Sequence, residues 1–149
     1  MKLFFSFVFG SLLFLSTSSA DMVDGLYVKA YGDSGKQSII FIHGGPGYDS
    51  QAFEFSTAQV LADAGFYVIT YDQRGQGRSD VAASPEVYQY KAYADDLKKI
   101  IDSYQLNQPI LMGHSHGGTI ALKFEQYYPN VAKTILLVSA PVNMWASME

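Results

Sequence analysis

The sequence runs to 149 residues, carries 14 acidic against 10 basic side chains for a net charge of −4, and contains no cysteine. An acidic chain with only two arginines lacks the basic footprint of a nucleic-acid binder, and without thiols it forms no disulfide and takes no cysteine-linked lipid. No repeat, low-complexity tract or linker divides it, so its length predicts one domain.

Residues 1–20 stand apart from the rest. Lys2 precedes an apolar run from Leu3 to Leu15, and small polar residues follow from Ser16 to Ala20. That order is the plan of a secretory signal peptide, with Ser18 and Ala20 satisfying the small-residue rule for cleavage. The apolar run is short of the ~20 residues a membrane span requires. The expectation is export to a secreted or periplasmic location, cleavage after Ala20, no stable membrane association afterwards, and a domain over residues 21–149.

That domain reads as strands alternating with helices. Asp24 to Tyr31 alternates weakly and ends in the turn cluster Gly32-Asp-Ser-Gly35, which predicts a hairpin into the next strand. Ser38 to His43 holds Ile39-Ile-Phe-Ile42, a continuous apolar run and therefore a strand buried on both faces. Ala52 to Gly65 places Phe55, Ala58, Leu61 and Ala62 at helical spacing, with Gly65 as C-terminal cap. Phe66 to Tyr71 is a further buried strand, and Asp72-Gln-Arg-Gly-Gln-Gly-Arg-Ser-Asp80 reads as a structured loop with an internal Asp–Arg ion pair. Tyr93 to Tyr104 forms an amphipathic helix with Leu97, Ile100 and Ile101 on one face and Asp95 and Asp96 near its start. Lys133 to Ser139 closes the series as another buried strand, left as an apolar edge with no later strand beside it. The alternation predicts an α/β fold: a mostly parallel sheet with helices on both faces.

The chemistry concentrates in Pro109-Ile-Leu-Met-Gly-His-Ser-His-Gly-Gly118. A buried strand runs through Ile110 to Met112, breaks at Ser115, and continues as a helix from Thr119 to Tyr128. Gly113, Ser115 and Gly117 form G-x-S-x-G, the spacing of a nucleophile elbow, in which a strained turn exposes the serine Oγ and small residues on either side let it close. The helix N-terminus then directs free N–H groups toward developing negative charge. Upstream, His43-Gly-Gly-Pro-Gly47 follows a buried strand, and its glycines let backbone N–H groups approach a substrate oxygen unhindered by Cβ atoms.

No cofactor or metal is expected. Gly75-Gln-Gly77 lacks the third glycine of a dinucleotide fingerprint, since Asp80 stands there, and no phosphate-binding loop occurs. His114 and His116 flank a sharp turn and should point apart, and His43 is explained by its loop.

Taken together, His43-Gly-Gly-Pro-Gly47, Asp72-Gln-Arg-Gly75 running on to Ser79, and Gly113-His-Ser-His-Gly117 resemble the α/β-hydrolase superfamily and, within it, the proline iminopeptidase-like branch. The resemblance covers roughly Gly25 to Val142. It implies that Ser115 is the nucleophile, and that the backbone N–H groups of His116 and Gly45 form the oxyanion hole. It also implies that His43, Gly44, Pro46, Gly47, Gly113 and Gly117 support these loops, with a cis Gly45–Pro46 bond. The expected substrate is a small peptide, amide or ester, with an N-terminal proline the first choice and an ester or lactone the alternative on the same scaffold. A serine at the nucleophile position argues against the branches that use aspartate there, the dehalogenases and epoxide hydrolases.

The triad also needs an acid and then a histidine after the serine. No histidine follows His116, and Glu125 and Glu149 are the only later acids. The reading therefore expects the N-terminal half of the fold, with the cap, the acid and the histidine outside these 149 residues, and this stretch inactive by itself. A non-catalytic binding remnant is the competing reading.

Overall fold

The computed structural model describes residues 19–81 and 88–141. Residues 1–18, which hold most of the expected signal peptide, lie outside that range. Six strands make one sheet: β1 (Ser19–Val23), β2 (Leu26–Tyr31), β3 (Ser38–Ile42), β4 (Tyr67–Tyr71), β5 (Ile110–His114) and β6 (Thr134–Val138), in the spatial order β1-β2-β4-β3-β5-β6. The β1–β2 and β2–β4 pairings are antiparallel, and β4, β3, β5 and β6 run parallel.

The expected hairpin between β2 and β3 does not form. The chain turns instead at Asp24-Gly25, where both residues have positive φ (50° and 79°), and Val23 pairs with Leu26 to close β1 onto β2. Two consecutive positive φ values give the turn whose twist matches antiparallel strands. Every residue of β3 is buried, so it belongs in the sheet interior between two parallel neighbours rather than in a surface hairpin. β1 also straddles the expected cleavage point: Asp21 to Val23 would remain in the strand after cleavage behind Ala20.

Helices cover both faces, as the alternation predicts. On one face, α3 (Tyr90–Ser103) and α4 (His116–Tyr127) bury Leu97, Ile100, Ile120 and Phe124 against Val28, Ile40, Ile42 and Ile69. On the other, a segment made of α1 (Gln51–Phe53), a π-helical stretch (Glu54–Ala58) and α2 (Gln59–Asp63) packs Ala58, Leu61 and Ala62 near Val68 and Tyr31. Gly65 follows with φ 94°, the left-handed geometry expected of a terminating glycine. Phe55, expected inside, is 87% exposed. The segment widens there into a π-helical turn in which Glu54 and Ala58 are the buried residues and Phe55 faces solvent.

Two further expectations change. α3 begins at Tyr90, three residues before the predicted start, so Asp95 and Asp96 sit in its second turn. Side-chain partners, not the helix terminus, hold them: Lys91 for Asp95 and Arg74 for Asp96. β6 is less buried than its apolar run suggests, with Leu136, Leu137 and Val138 at 42%, 38% and 42% exposure. Among the described residues it pairs with β5 alone, so its outer edge is bare, as the sequence reading anticipates.

The topology positions the site. After β3 the chain leaves for α1 on one face, and after β5 it leaves for α4 on the other. The C-terminal ends of these adjacent parallel strands therefore diverge and open a crevice, the switch point where ligands bind in open α/β sheets.

Candidate active site

Ser115 sits at that crevice, directly after β5. Its φ of 51° and ψ of −121° are rare for a residue with a Cβ, and they turn the chain straight from strand to helix. Its N–H donates to the Val138 carbonyl (3.0 Å) and its carbonyl accepts from the Gly118 N–H (2.9 Å), so both neighbouring elements hold the turn. The side chain does not cap α4, and among the described residues Oγ has no hydrogen-bond partner.

The flanking glycines are required by contact. A Cβ on Gly113 would lie 2.5 Å from the Gly117 carbonyl oxygen and from Gly118 Cα, and a Cβ on Gly117 would collide with the Ile42 carbonyl oxygen. α4 thus starts pressed against the end of β3, which brings Ser115 beside the glycine loop. A Cβ on Gly44 would stand 3.2 Å from Ser115 Cβ.

The loop His43 to Gly47 is held from beneath. His43 is 2% exposed; its Nδ1–H donates to the Gly44 carbonyl (2.6 Å) and its Nε2 accepts from the Gln73 N–H (2.9 Å). Both ring nitrogens are thereby engaged in a neutral imidazole, and burial lowers its pKa. Gln73 Nε2 donates to the His43 carbonyl (2.6 Å), and Gln76 Oε1 accepts from the Gly47 N–H (2.8 Å) while its Nε2 reaches Gln73 Oε1 (3.2 Å). The Gly45–Pro46 peptide is cis, and Gly45 and Gly47 have φ of 149° and 90°. Among the described residues no protein acceptor takes the N–H of Gly44 or Gly45, which leaves both available to a ligand. Gln73 and Gln76 as props for this loop escaped the sequence reading, because nothing in their local pattern indicates a contact some 30 residues upstream.

The expected Asp–Arg pair forms between Asp72 and Arg78, at 2.7 Å. Arg78 also binds Glu54 (2.6 Å) and lies over the Tyr27 ring, and Ser50 donates its N–H and hydroxyl to Asp72 (2.9 and 2.7 Å). Burial opposes ionisation of Asp72, but the Arg78 guanidinium and the N–H groups of Arg78 and Ser50 outweigh it and pull the carboxyl down to about 2. Arg74 turns away to Asp96. This network ties the loop after β4 to the segment behind the glycine loop; it is scaffold.

His114 and His116 diverge as expected. His114 is exposed, whereas the His116 ring packs against Tyr90 and Tyr93 with Nδ1 buried and unpartnered, and burial lowers its pKa. Glu125 accepts the Asn130 N–H (3.0 Å) at the far end of α4. Among the described residues, then, the crevice holds Ser115 as candidate nucleophile and candidate oxyanion donors but no acid–histidine pair. A cleft of about 390 Å³ opens beside Ser115, bounded by the glycine loop and by Phe41, Phe53, Ala52 and Asp49.

The sequence profile of the family described as alpha/beta hydrolase fold matches residues 37–149. A proline iminopeptidase of Clostridioides difficile (strain 630) is 32% identical over 116 residues, covering 76% of this chain and 39% of the relative. Epoxide hydrolase 4 of Mus musculus is 32% identical over 117 residues, covering 77% and 31%. Among solved structures, a proline iminopeptidase-related protein from Thermus thermophilus superposes with a TM-score of 0.74 at 25% identity, over 84% of this chain and 45% of that one. The chain thus spans less than half the length of each of these proteins. It belongs to the α/β hydrolase family.

Proposed function

We propose that this chain carries the nucleophile and oxyanion-binding part of a serine hydrolase that cleaves small peptides, amides or esters, with removal of an N-terminal proline the nearest assignment. The observation that carries the reading is Ser115 in its strained turn, Oγ free, facing a glycine loop with unengaged N–H groups. A serine rather than a carboxylate at this turn favours the aminopeptidase relatives over the epoxide hydrolases.

In the proposed reaction Ser115 Oγ attacks the substrate carbonyl, and the oxygen that gains charge accepts hydrogen bonds from the His116 and Gly45 N–H groups. A preorganised donor of this kind is worth about 3–4 kcal/mol of barrier. Collapse expels the amine or alcohol and leaves an acyl-serine, which water then hydrolyses. The Oγ proton must pass to a base and on to the leaving group. By the family resemblance that base is a histidine later than α4; a serine deprived of it keeps only about 10³–10⁴ of rate over water. Residues 1–20 are proposed to direct export, on the strength of Lys2, the apolar run and Ala20.

A fluorophosphonate tests the nucleophile. Oγ forms a bond to phosphorus, the P–F bond breaks, fluoride leaves and the hydroxyl proton is lost. Both this chain and the natural protein isolated from its source cells are treated, with Ser115→Ala as control. Mass added at Ser115 in the natural protein supports the reading. Silence in both, with no loss on substitution, would favour the non-catalytic remnant.

A further inference from the structure

We propose that Ser139 is a positioning residue for the oxyanion donor: its left-handed backbone folds the strap from Val138 to Ala140 over the serine turn and so fixes the direction of the His116 N–H. The inference rests on the serine-hydrolase reading, because it says what holds the donor which that reading assigns.

Two peptide units flank the Ser115 Cα, and a hydrogen bond holds each. The Ser115 carbonyl accepts from the Gly118 N–H at 2.9 Å. A trans peptide sets its C=O and N–H in opposite directions within one plane, so this bond points the His116 N–H out of the start of α4, toward the crevice. Among the described residues no protein acceptor takes that N–H. The preceding unit is held by the Ser115 N–H, which donates to the Val138 carbonyl at 3.0 Å. With both planes fixed, Ser115 stays at φ 51° and ψ −121°, and the direction of the donor follows.

Both bonds lean on the strap. β6 runs parallel to β5 with Val138 beside His114, so the Val138 carbonyl takes Ser115 as the last bond of the ladder. A strand continuing straight would carry the chain on past the crevice. Ser139 has φ 47° instead, a left-handed conformation that a residue with a Cβ adopts at a cost. Beyond that turn Ala140 lies against Gly118, the donor to the Ser115 carbonyl. A Cβ on Gly118 would collide with Ala140 Cβ and stand 3.1 Å from Leu137 Cδ2. Val138 is thus the partner of one peptide unit, and Ala140 covers the partner of the other. Ser139 itself is exposed, so burial of its side chain does not account for its conformation. Strained backbone of this kind persists where its surroundings hold it, and it clusters at active sites.

The test uses the natural protein and its Ser139 variants. Each is treated with a fluorophosphonate, whose phosphonyl oxygen takes the oxyanion position, and the maximal labelling rate is separated from the half-saturating concentration. Hydrogen exchange of the Ser115 amide is read by NMR on the same proteins. Valine, branched at Cβ, resists the left-handed region. Ser139→Val should lower the maximal rate by about tenfold or more, with half-saturation unchanged, and should speed Ser115 exchange by about as much. Ser139→Gly and Ser139→Asn enter that region readily and should return both readouts to the parental values. Ser139→Thr carries the same prediction, at about threefold, should the valine chain fail to fold. A branched variant that labels as fast as glycine would overturn the proposal. So would a rate loss explained by fewer folded molecules, or one with Ser115 exchange unchanged. If the parent itself does not label, the hydrolase reading falls and Ser115 exchange alone decides: faster in valine than in glycine keeps the strap, and equal rates sink it.

Discussion

Asp72→Asn is the perturbation whose size the structure sets most directly. Asp72 is fully buried, accepts from Arg78 and Ser50, and has its carboxyl held at about 2 against an ordinary 3.8. Burial works against ionisation and the donors win; at about 1.4 kcal/mol per tenfold, the gap is worth about 2 kcal/mol at neutral pH. Asparagine keeps the shape, but it removes the charge and turns an amide donor toward Arg78. Breaking a buried pair by removing one member costs about 3–5 kcal/mol, so the loss at pH 7 should fall between about 2 and 5 kcal/mol. The folded carboxyl is depressed, so the pH-dependent part is fully present above 3.8 and fades as pH falls toward about 2. It should still be about 2 kcal/mol at pH 4 and drop to about 1 kcal/mol at pH 3. Urea denaturation of wild type and variant, compared at each pH, reads this directly. A difference that stays constant from pH 7 to 3, or an asparagine variant as stable as the parent at pH 7, would refute the reasoning.

The other predictions concern the elbow, the loop and the edge. Ser115→Gly relieves a backbone conformation that costs a residue with a Cβ about 1–3 kcal/mol, so it should raise the melting temperature while abolishing fluorophosphonate labelling; a lower melting temperature would show that the turn is unstrained. Gly117→Ala drives a Cβ into the Ile42 carbonyl and to 2.6 Å from that of His43, both backbone, and should destabilise by about 3 kcal/mol or more by urea titration. Gln76→Ala strips the Gly47 N–H of its acceptor, so the labelling rate should fall about tenfold while stability changes by only about 1 kcal/mol; equal loss in both would make Gln76 a mere packing residue. Leu136→Lys, on the bare strand β6, should lower light scattering of concentrated samples without lowering the melting temperature.

What was legible in the sequence was whatever depends on neighbours along the chain. The apolar runs at 39–42 and 135–138, the elbow glycines and the glycine loop all follow from local backbone chemistry, and the structure places them as strands, turn and loop. The Asp24-Gly25 turn was missed: the sequence reading began the alternating strand at Asp24, and the turn cluster at 32–35 drew the hairpin to the wrong strand. Tertiary structure decided the rest. Phe55 faces out on a π-helical stretch whose first residue, Glu54, pairs with Arg78 across 24 residues, a contact that no helical periodicity encodes. Gln73 and Gln76 prop a loop about 30 residues upstream only because β3 and β4 lie side by side. The crevice itself exists because the chain departs from β3 and β5 to opposite faces. Strand order is a property of the assembled sheet, set by which buried surfaces fit together, and no single stretch of residues contains it.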